Sequence, residues 1–293
     1  MKQTTILNRV EGVGIGLHKG EPIKIILEPL EADSGIVFYR SDIAATIPAL
    51  PQYVVNTQMA TVIGTGEKSV ISTIEHLLSA VNSYGIDNLR IIVDSAEVPV
   101  MDGSSASFCM MLDEAGIREL DAYKKVIVIK RDIEVREGDK FSRVYASNSP
   151  TYHFVIDFAH PVIGRQEYTY EFSKKNFLEH ISRARTFGFL KDAQVLRSMG
   201  LGLGGSLDNT IIMDDKKILN PEGLRFPNEF VRHKILDAIG DLCLLGMPML
   251  GSYDSFAGSH KLNHLLTKEI LKDPQNYEVK TISKAVWHEK ALA

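Results

Sequence analysis

The strongest periodic pattern of apolar and polar positions in this chain lies between residues 228 and 246. Apolar side chains recur there at intervals of three and four, which predicts one long amphipathic helix. The apolar positions are Phe230, Val231, Ile235, Leu236, Ile239, Leu242 and Leu245. The opposite stripe carries His233, Asp237 and Asp241, with Lys234 at its border. Side chains four positions apart share a helix face, so His233 and Asp237 are expected to be neighbours.

The rest of the chain alternates short apolar runs with helical segments. Apolar, β-branched runs bounded by Pro, Gly or Ser predict strands at residues 23–29, 36–40, 89–93, 124–130, 131–137, 152–158 and 249–253. Helices are predicted at residues 72–83, 106–112, 174–183 and 261–271. The runs within residues 124–137 are expected to form two strands around a turn.

Two similar passages indicate that the chain repeats one plan. Each half ends in an apolar strand, a Gly/Ser loop and a helix, read as MDGSSASFCMML in one half and FAGSHKLNHLL in the other. This echo predicts an α+β fold of two similar domains joined near the charged segment 120–125. The predicted divisions are residues 1–122 with a small insertion near 40–65, residues 123–275 with an apolar insertion near 188–215, and a tail, 276–293.

Composition excludes several classes of protein. With 293 residues, 44% hydrophobic and 24% charged, the chain has the make-up of a globular protein large enough for two cores. A net charge of −4 gives no reason to expect nucleic-acid binding, which would need a surplus of positive charge. No apolar run reaches the roughly 20 residues of a membrane span, so stable membrane insertion is not expected. The N-terminus lacks the apolar core of a secretory signal, which favours a cytoplasmic location, and a monomer is the default.

Residues Glu75 and His76 complete what a hydrolytic metal site needs. His76 offers a third ligand beside His233 and Asp237, and three protein ligands with one open position are typical of catalytic zinc. Glu75 is then a natural base for the activated water. A simpler interpretation stays open for each part. The stripe on the long helix is also typical of a solvated face, and Ser72-x-x-Glu75 also matches a capping box.

Three further segments have two interpretations each. His260 closes a Gly-Ser loop after a strand, where a histidine is either catalytic or simply exposed. Thr186 follows two arginines and either donates to an oxyanion or belongs to an ordinary helix end. The glycine-broken stretch near 189–209 is too apolar for a plain loop, so it either packs as core or lines a groove for an apolar ligand.

Taken together, ordered segments of the chain resemble one enzyme family. They read STIEHLLSA, GIDN, VPVMDGSSASF, ISRARTFGF, GGSLDN, LRFPNEFVRHKILDAIGDL and GSH. The family is that of UDP-3-O-acyl-N-acetylglucosamine deacetylases, bacterial zinc amidases at the committed step of lipid A synthesis. The resemblance runs from GIGLHKG to the helix after His260. It implies two α+β domains, each a sheet packed on helices, with the active site between them.

The resemblance also implies roles for individual residues. Zinc would be held by His76, His233 and Asp237. Glu75 would be the general base and His260 the general acid, with Asp241 as the charge partner of that histidine. Thr186 and Lys234 would help hold the oxyanion and the water.

Substrate contacts are implied in the same way for a UDP-linked, acylated amino sugar. The acyl passage would be lined by Phe187, Leu190, Leu196 and Met199. Lys140 and Phe158 match positions near the nucleotide. A His₂Asp set suits ferrous iron as well as zinc. Two alternatives remain, namely a metallopeptidase, which predicts an H-E-x-x-H helix, and a zinc-stabilised binding module, which predicts four closed protein ligands.

Overall fold

A computed structural model of the protein describes residues 1–282, which contain twenty β-strands and six α-helices. The strands are β1 (Lys2–Ile6), β2 (Val10–Ile15), β3 (Pro22–Pro29), β4 (Ile36–Arg40), β5 (Ala45–Pro48), β6 (Val54–Asn56), β7 (Val62–Gly66), β8 (Ser69–Ile71), β9 (Leu89–Val93), β10 (Ile117–Tyr123), β11 (Lys125–Ile129), β12 (Ile133–Glu137), β13 (Lys140–Tyr145), β14 (Thr151–Asp157), β15 (Arg165–Glu171), β16 (Phe187–Phe189), β17 (Ile211–Met213), β18 (Met249–Leu250), β19 (Ser252–Phe256) and β20 (Tyr277–Thr281). The helices are α1 (Glu75–Ser83), α2 (Ala106–Ala115), α3 (Lys174–Asn176), α4 (Leu190–Ser198), α5 (Glu229–Cys243) and α6 (His260–Lys272).

Two five-stranded sheets share one topology. Their strand orders are β2-β3-β9-β4-β5 and β12-β13-β19-β14-β15. In each sheet the central strand runs antiparallel to one neighbour and parallel to the other. The repeated plan predicted from the two similar passages is therefore present in the fold, and the α+β class is confirmed. The division of the chain at residues 122/123 stays a prediction.

The apolar positions of the strands and helices lie on their buried faces. In β3 the side chains of Ile23, Ile25 and Leu27 are fully buried, and the intervening residues are partly or fully exposed, as a period of two requires. In α5 the apolar positions predicted from the sequence face the core. Helix α1 is buried at eight of its nine residues and packs against α5. Among the described residues, this is the most extensive contact between any two elements.

Most predicted elements are confirmed. The runs at 23–29, 36–40, 89–93 and 152–158 are β3, β4, β9 and β14, and the helices predicted at 72–83, 106–112, 228–246 and 261–271 are α1, α2, α5 and α6. The segment predicted as a helix at 174–183 is α3 followed by a π-helical turn, Phe177–Ile181. The start of the apolar insertion near 188–215 forms α4, none of whose residues is buried.

One predicted strand pair and one predicted strand differ from the structure. β11 and β12 do not form a hairpin, because β11 is flanked by β18 and β20 while β12 pairs with β13. The strand predicted at 249–253 is broken at Gly251, where the chain passes from one sheet to another. A Cβ at Gly251 would lie 2.7 Å from Ile129, so the crossing is too close for a side chain.

The segment predicted as a charged linker is structured. Residues 117–123 form β10, which pairs with β1. Lys124 is 2% exposed, and its ammonium lies 2.9 Å from the Asp87 carboxylate and donates to the Gly85 carbonyl. Part of the predicted tail is structured too, since Tyr277–Thr281 is the strand β20, paired with β11. The rest of the predicted tail, residues 283–293, lies outside the described residues.

Helices long and apolar enough to cross a membrane are absent from residues 1–282.

Candidate active site

Three potential metal ligands meet where α1 packs against α5. His76 comes from α1, His233 and Asp237 come from α5, and each is at most 3% exposed. Oδ1 of Asp237 lies 3.3 Å from Nε2 of His233 and 3.6 Å from Nε2 of His76. One ligand atom from each residue lies within 4.8 Å of the other two. Within residues 1–282, this is the one group of His, Cys, Asp and Glu side chains arranged to hold a metal.

The polar atoms of this group fit a divalent metal ion. Oδ1 of Asp237 is buried and has no hydrogen-bond partner in the described part of the chain. Burial lowers the pKa of His233 to about 3, so its imidazole is neutral and able to bind a metal. A tetrahedral site with bonds of about 2.0–2.1 Å has ligand atoms about 3.3 Å apart, close to the spacing found here. Three protein ligands are the number found in catalytic rather than structural zinc sites.

A backbone contact between the helices sets the spacing of these ligands. Gly240 of α5 lies against the carbonyl oxygen of Glu75, and a Cβ at position 240 would be only 2.0 Å from that oxygen. Glycine is therefore required for the two backbones to approach this closely. Because Glu75 directly precedes His76, the contact holds the ligand of α1 beside the ligands of α5.

The second nitrogen of His233 is also held in place. Its Nδ1 lies 3.0 Å from the carbonyl oxygen of Ala184, which directs Nε2 towards Asp237. The neighbouring Arg185 is 1% exposed and donates from its backbone N–H and its Nε to Glu229 of α5, at 3.0 and 2.9 Å. This buried ion pair fixes the segment that carries Ala184 and Thr186 against the start of α5.

Lys234 contacts the remaining oxygen of Asp237. Its ammonium donates to Oδ2 at 2.7 Å, so the carboxylate is bonded on one oxygen and open on the other. Burial alone would raise the pKa of Asp237, but the neighbouring His233 and Lys234 hold it well below its usual range. Asp237 is therefore ionised, as a metal ligand must be.

Glu75 begins α1 but does not cap it. The residue at the N-cap position is Ile74, which makes no side-chain capping bond, so the capping-box interpretation was wrong. Oε2 of Glu75 accepts a hydrogen bond from the backbone N–H of Thr61 at 3.1 Å. Burial raises the pKa of Glu75, as expected for a carboxylate that is to accept a proton near neutral pH.

His260 faces Glu75 from the opposite wall, at the first position of α6. Nε2 of His260 lies 3.8 Å from Oε1 of Glu75, and Nδ1 lies 2.9 Å from Oδ2 of Asp241. Asp241 is 2% exposed and also accepts hydrogen bonds from Thr61 and Asn263. Burial alone would lower the pKa of His260, but the charges of Asp241 and Glu75 raise it to about 9. The histidine therefore carries a proton at neutral pH.

Most of the predicted site residues surround one cavity of about 250 Å³. The predicted residues in its wall are Glu75, His76, Phe158, Thr186, Phe187, His233, Lys234, Asp237 and His260. Asp241 stands behind His260. Phe158 packs edge to face on Phe187, with ring centroids 5.9 Å apart. The structure therefore brings together residues that are up to 185 positions apart in the chain, Glu75 and His260.

A second, apolar cavity of about 500 Å³ adjoins the first. The two share the residues Leu17, Met59, Thr186 and Phe187 in their walls. Leu190 and Leu196 line the apolar cavity, and so does the buried His18. A polar reaction site thus continues directly into a space that suits an aliphatic chain.

Two predicted substrate residues lie apart from both cavities. Met199 follows α4, is 59% exposed, and is not part of the apolar wall. Lys140 is exposed at the start of β13, beside Glu137 of the β12–β13 hairpin, and lines neither cavity.

Sequence reasoning missed Thr61 and Asn263, which bond Asp241, and Met59, which lines both cavities. No motif marks these residues, because their partners are distant in the chain.

Comparison with known proteins identifies the family. Residues 3–272 match the family model described as UDP-3-O-acyl N-acetylglycosamine deacetylase. A protein of Campylobacter fetus subsp. fetus named UDP-3-O-acyl-N-acetylglucosamine deacetylase is 66% identical over 295 aligned positions, covering the whole of both chains. Proteins of the same name from Campylobacter lari and Campylobacter hominis are 63% and 62% identical, with 100% and 99% of each chain covered. The chain belongs to the UDP-3-O-acyl N-acetylglycosamine deacetylase family.

Proposed function

We propose that this protein hydrolyses the acetamide of UDP-3-O-(3-hydroxyacyl)-N-acetylglucosamine, releasing acetate and leaving the free amine. In this reaction water adds to the acetyl carbonyl carbon, the C–N bond breaks, and the nitrogen gains a proton. The step is the committed one of lipid A biosynthesis. A nucleotide-sugar substrate agrees with the cytoplasmic location expected from the sequence.

One observation carries the proposal. A buried group of three metal ligands, a carboxylate and a protonated imidazole surround a single cavity, and that cavity continues into an apolar one. A metallopeptidase of the H-E-x-x-H type takes two ligands from one helix, whereas α1 offers only His76 and has Ala80 four residues later. A structural zinc site needs four ligands and neither Glu75 nor His260. The arrangement is therefore best suited to an amide on a lipid-bearing molecule.

His76, His233 and Asp237 would hold the metal ion. Zinc bound there supplies Lewis acidity to the amide carbonyl and makes hydroxide available near neutral pH, and ferrous iron suits the same ligands. Lys234 keeps Asp237 oriented through its bond to Oδ2. Lys234 and Thr186 also line the cavity, where they are positioned to stabilise negative charge that develops on the carbonyl oxygen.

Glu75 is proposed as the general base. One of its oxygens is bonded to Thr61, and the other faces the cavity beside His260. It would accept the proton of the attacking water. Because the pKa of Glu75 is raised by burial, the carboxylate is a stronger base than an exposed glutamate.

His260 is proposed as the general acid. An amide nitrogen leaves poorly unless it is protonated, so the reaction needs a group that holds a proton at neutral pH and can deliver it. The pKa of His260 is raised to about 9, with Asp241 fixed on its Nδ1. Nε2 is then the atom that donates the proton to the departing amine.

The acyl chain is proposed to occupy the cavity lined by Phe187, Leu190 and Leu196. Its connection to the reaction cavity through Phe187 agrees with a substrate whose acyl group and acetamide are attached to one sugar ring. Phe158 lies at the reaction end and is proposed to contact the nucleotide-sugar. Lys140, which lines neither cavity, is proposed to contact the nucleotide on the family resemblance alone.

The experiment is acetate release from the UDP-acyl-sugar, compared with release from UDP-N-acetylglucosamine that carries no acyl chain. We expect hydrolysis of the acylated substrate, loss of activity with a chelator, and recovery with Zn²⁺ or Fe²⁺. Peptide substrates serve as the control for a metallopeptidase. A metal-loaded protein that leaves the acylated sugar intact would refute the proposal.

A matched pair of variants tests the apolar cavity. Leu196→Trp places a large side chain in its wall, whereas Val195→Trp changes a neighbouring residue that is 59% exposed. We expect the first variant to raise KM for long acyl chains more than for short ones. Val195→Trp should leave this preference unchanged.

A further inference from the structure

Thr61 lies between the two groups proposed to move protons. It is 1% exposed and directly precedes β7. Its backbone N–H donates to Oε2 of Glu75 at 3.1 Å, and its hydroxyl donates to Oδ1 of Asp241 at 2.5 Å. Among the described residues, Thr61 alone donates hydrogen bonds to both carboxylates, whereas His260 bonds Asp241 and lies 3.8 Å from Glu75.

We propose that Thr61 is a positioning residue that fixes the base and the acid pair relative to each other. This inference rests on the roles proposed above for Glu75, Asp241 and His260. Thr61 touches neither substrate nor metal in this role. It acts through the two carboxylates that it bonds.

The bonding pattern supports this role because Thr61 binds one oxygen of each carboxylate and leaves the other oxygen facing His260. With Oε2 of Glu75 held by Thr61, Oε1 is the oxygen left facing His260 and the cavity. With Oδ1 of Asp241 held by Thr61, Oδ2 is the oxygen that bonds His260 and Asn263. Loss of the hydroxyl would allow Asp241 to rotate and the imidazole of His260 to follow it.

The hydrogen bond from the Thr61 hydroxyl to Asp241 joins the two halves of the chain. Thr61 and Glu75 belong to the first half of the chain, whereas Asp241 and His260 belong to the second. The hydroxyl bond therefore crosses between the halves at the reaction centre. Met59, two residues earlier, has a φ of 69° and lines both cavities, so the same loop also meets the space proposed for substrate.

The test compares Thr61→Val, which keeps the shape and removes the hydroxyl, with Thr61→Ser, which restores it. Thr267→Val is the matched control. Thr267 is equally buried, and its hydroxyl donates to the carbonyl of His264 rather than to a site residue. Kinetics with the UDP-acyl-sugar, metal content and thermal unfolding are measured for all three variants.

We expect Thr61→Val to lower kcat by about 10- to 100-fold, the range expected for the loss of a hydrogen bond to a charged group, while KM changes less than about twofold. Thr61→Ser should recover kcat to within about threefold, and Thr267→Val should retain it. Metal content should be the same in all variants. A native kcat in Thr61→Val, a change in KM instead of kcat, or no recovery in Thr61→Ser would overturn the inference.

A double-mutant cycle separates positioning from a general loss of stability. If Thr61 acts through Asp241, adding Thr61→Val to Asp241→Ala should lower kcat by less than about threefold. An undiminished effect in that background would refute the coupling. If the unaltered chain itself fails to release acetate, the proposed function fails, and that outcome is distinct from a native kcat in Thr61→Val.

Discussion

The two halves of this protein have the same sheet topology but contribute differently to the reaction centre. The N-terminal half supplies Glu75 and His76 from the first turn of α1. The C-terminal half supplies His233, Asp237 and Asp241 from within α5, and His260 from the start of α6. Neither half alone contains all three candidate metal ligands or both groups proposed to transfer protons. The duplicated framework therefore provides position, whereas the proposed chemistry depends on the contact between α1 and α5.

The loops that follow the central strands show the same division. In the N-terminal half, the hydroxyl of Ser105 donates to the carbonyl oxygen of His76 at 2.7 Å and so supports the backbone of a ligand. In the C-terminal half, Ser259 caps α6 by accepting a hydrogen bond from the backbone N–H of Leu262, and the next residue is His260. One loop thus supports a candidate ligand, and its counterpart carries a proposed catalytic group.

The largest expected effect comes from removing a ligand from either half. His76→Ala and Asp237→Ala should each lose the metal and lower kcat/KM by at least about 10³-fold, because two remaining ligands hold a metal poorly. Metal content and acetate release are measured together, with His180→Ala, a half-buried histidine far from the candidate ligands in the chain, as control. Retention of metal in His76→Ala would show that the C-terminal half binds it alone.

Removing the proton-transfer groups should have the next largest effect. Glu75→Gln and His260→Gln are each expected to lower kcat by about 10²–10⁴-fold, the range for general acid–base catalysis, with the metal retained. Glutamine keeps the size of the glutamate and its ability to accept the bond from Thr61. Activity of Glu75→Gln close to that of the unaltered protein would rule out the proposed base.

A change at Asp241 should alter the pH dependence of the reaction as well as its rate. His260 must carry a proton to act as an acid, so kcat/KM should fall as the pH rises through about 9, the pKa of His260. Asp241→Asn removes the main charge that raises this pKa. The alkaline limb should then move to lower pH by at least about one unit. An unmoved limb in the pH–rate profile would exclude His260 as the group that titrates there.

The smallest expected effects come from substitutions in the two loops that follow the central strands. Ser105→Ala should lower the free energy of unfolding by about 1 kcal/mol through loss of the bond to His76. Ser259→Ala should cost about as much through loss of the helix cap. Denaturant titration compares the two. A larger loss of kcat in Ser259→Ala than in Ser105→Ala would agree with the different tasks of the two loops, and equal kcat values would contradict them.

The sequence predicted the regular parts of the fold and the grouping of two candidate ligands on α5, because both leave local patterns. A spacing of four on a helix indicated His233 and Asp237, and alternating burial indicated β3. The pairing of β11 was not predictable in this way, because its partners β18 and β20 come more than 100 residues later in the chain. Pairing between distant strands is decided by packing, which short sequence patterns do not record.

The supporting residues of the site were harder to predict for a related reason. Thr61 and Asp241 are 180 residues apart, and a buried threonine is also common in ordinary cores. The capping-box pattern at Ser72 was misleading. The Glu75 carboxylate accepts a hydrogen bond from the backbone N–H of Thr61, and α1 begins without a side-chain cap. A local rule failed here because a tertiary hydrogen bond was available to the same carboxylate.

The contact at Gly240 has a consequence for how the protein tolerates mutation. A methyl group at this position would meet a backbone oxygen, and backbone, unlike a side chain, has no alternative rotamer that would make room. The two helices would have to separate, and a displacement of about 1 Å at a reacting group is enough to cost about 100-fold in rate. Even an alanine at Gly240, a position that lines neither cavity, would therefore disturb the candidate active site through the packing of α1 on α5.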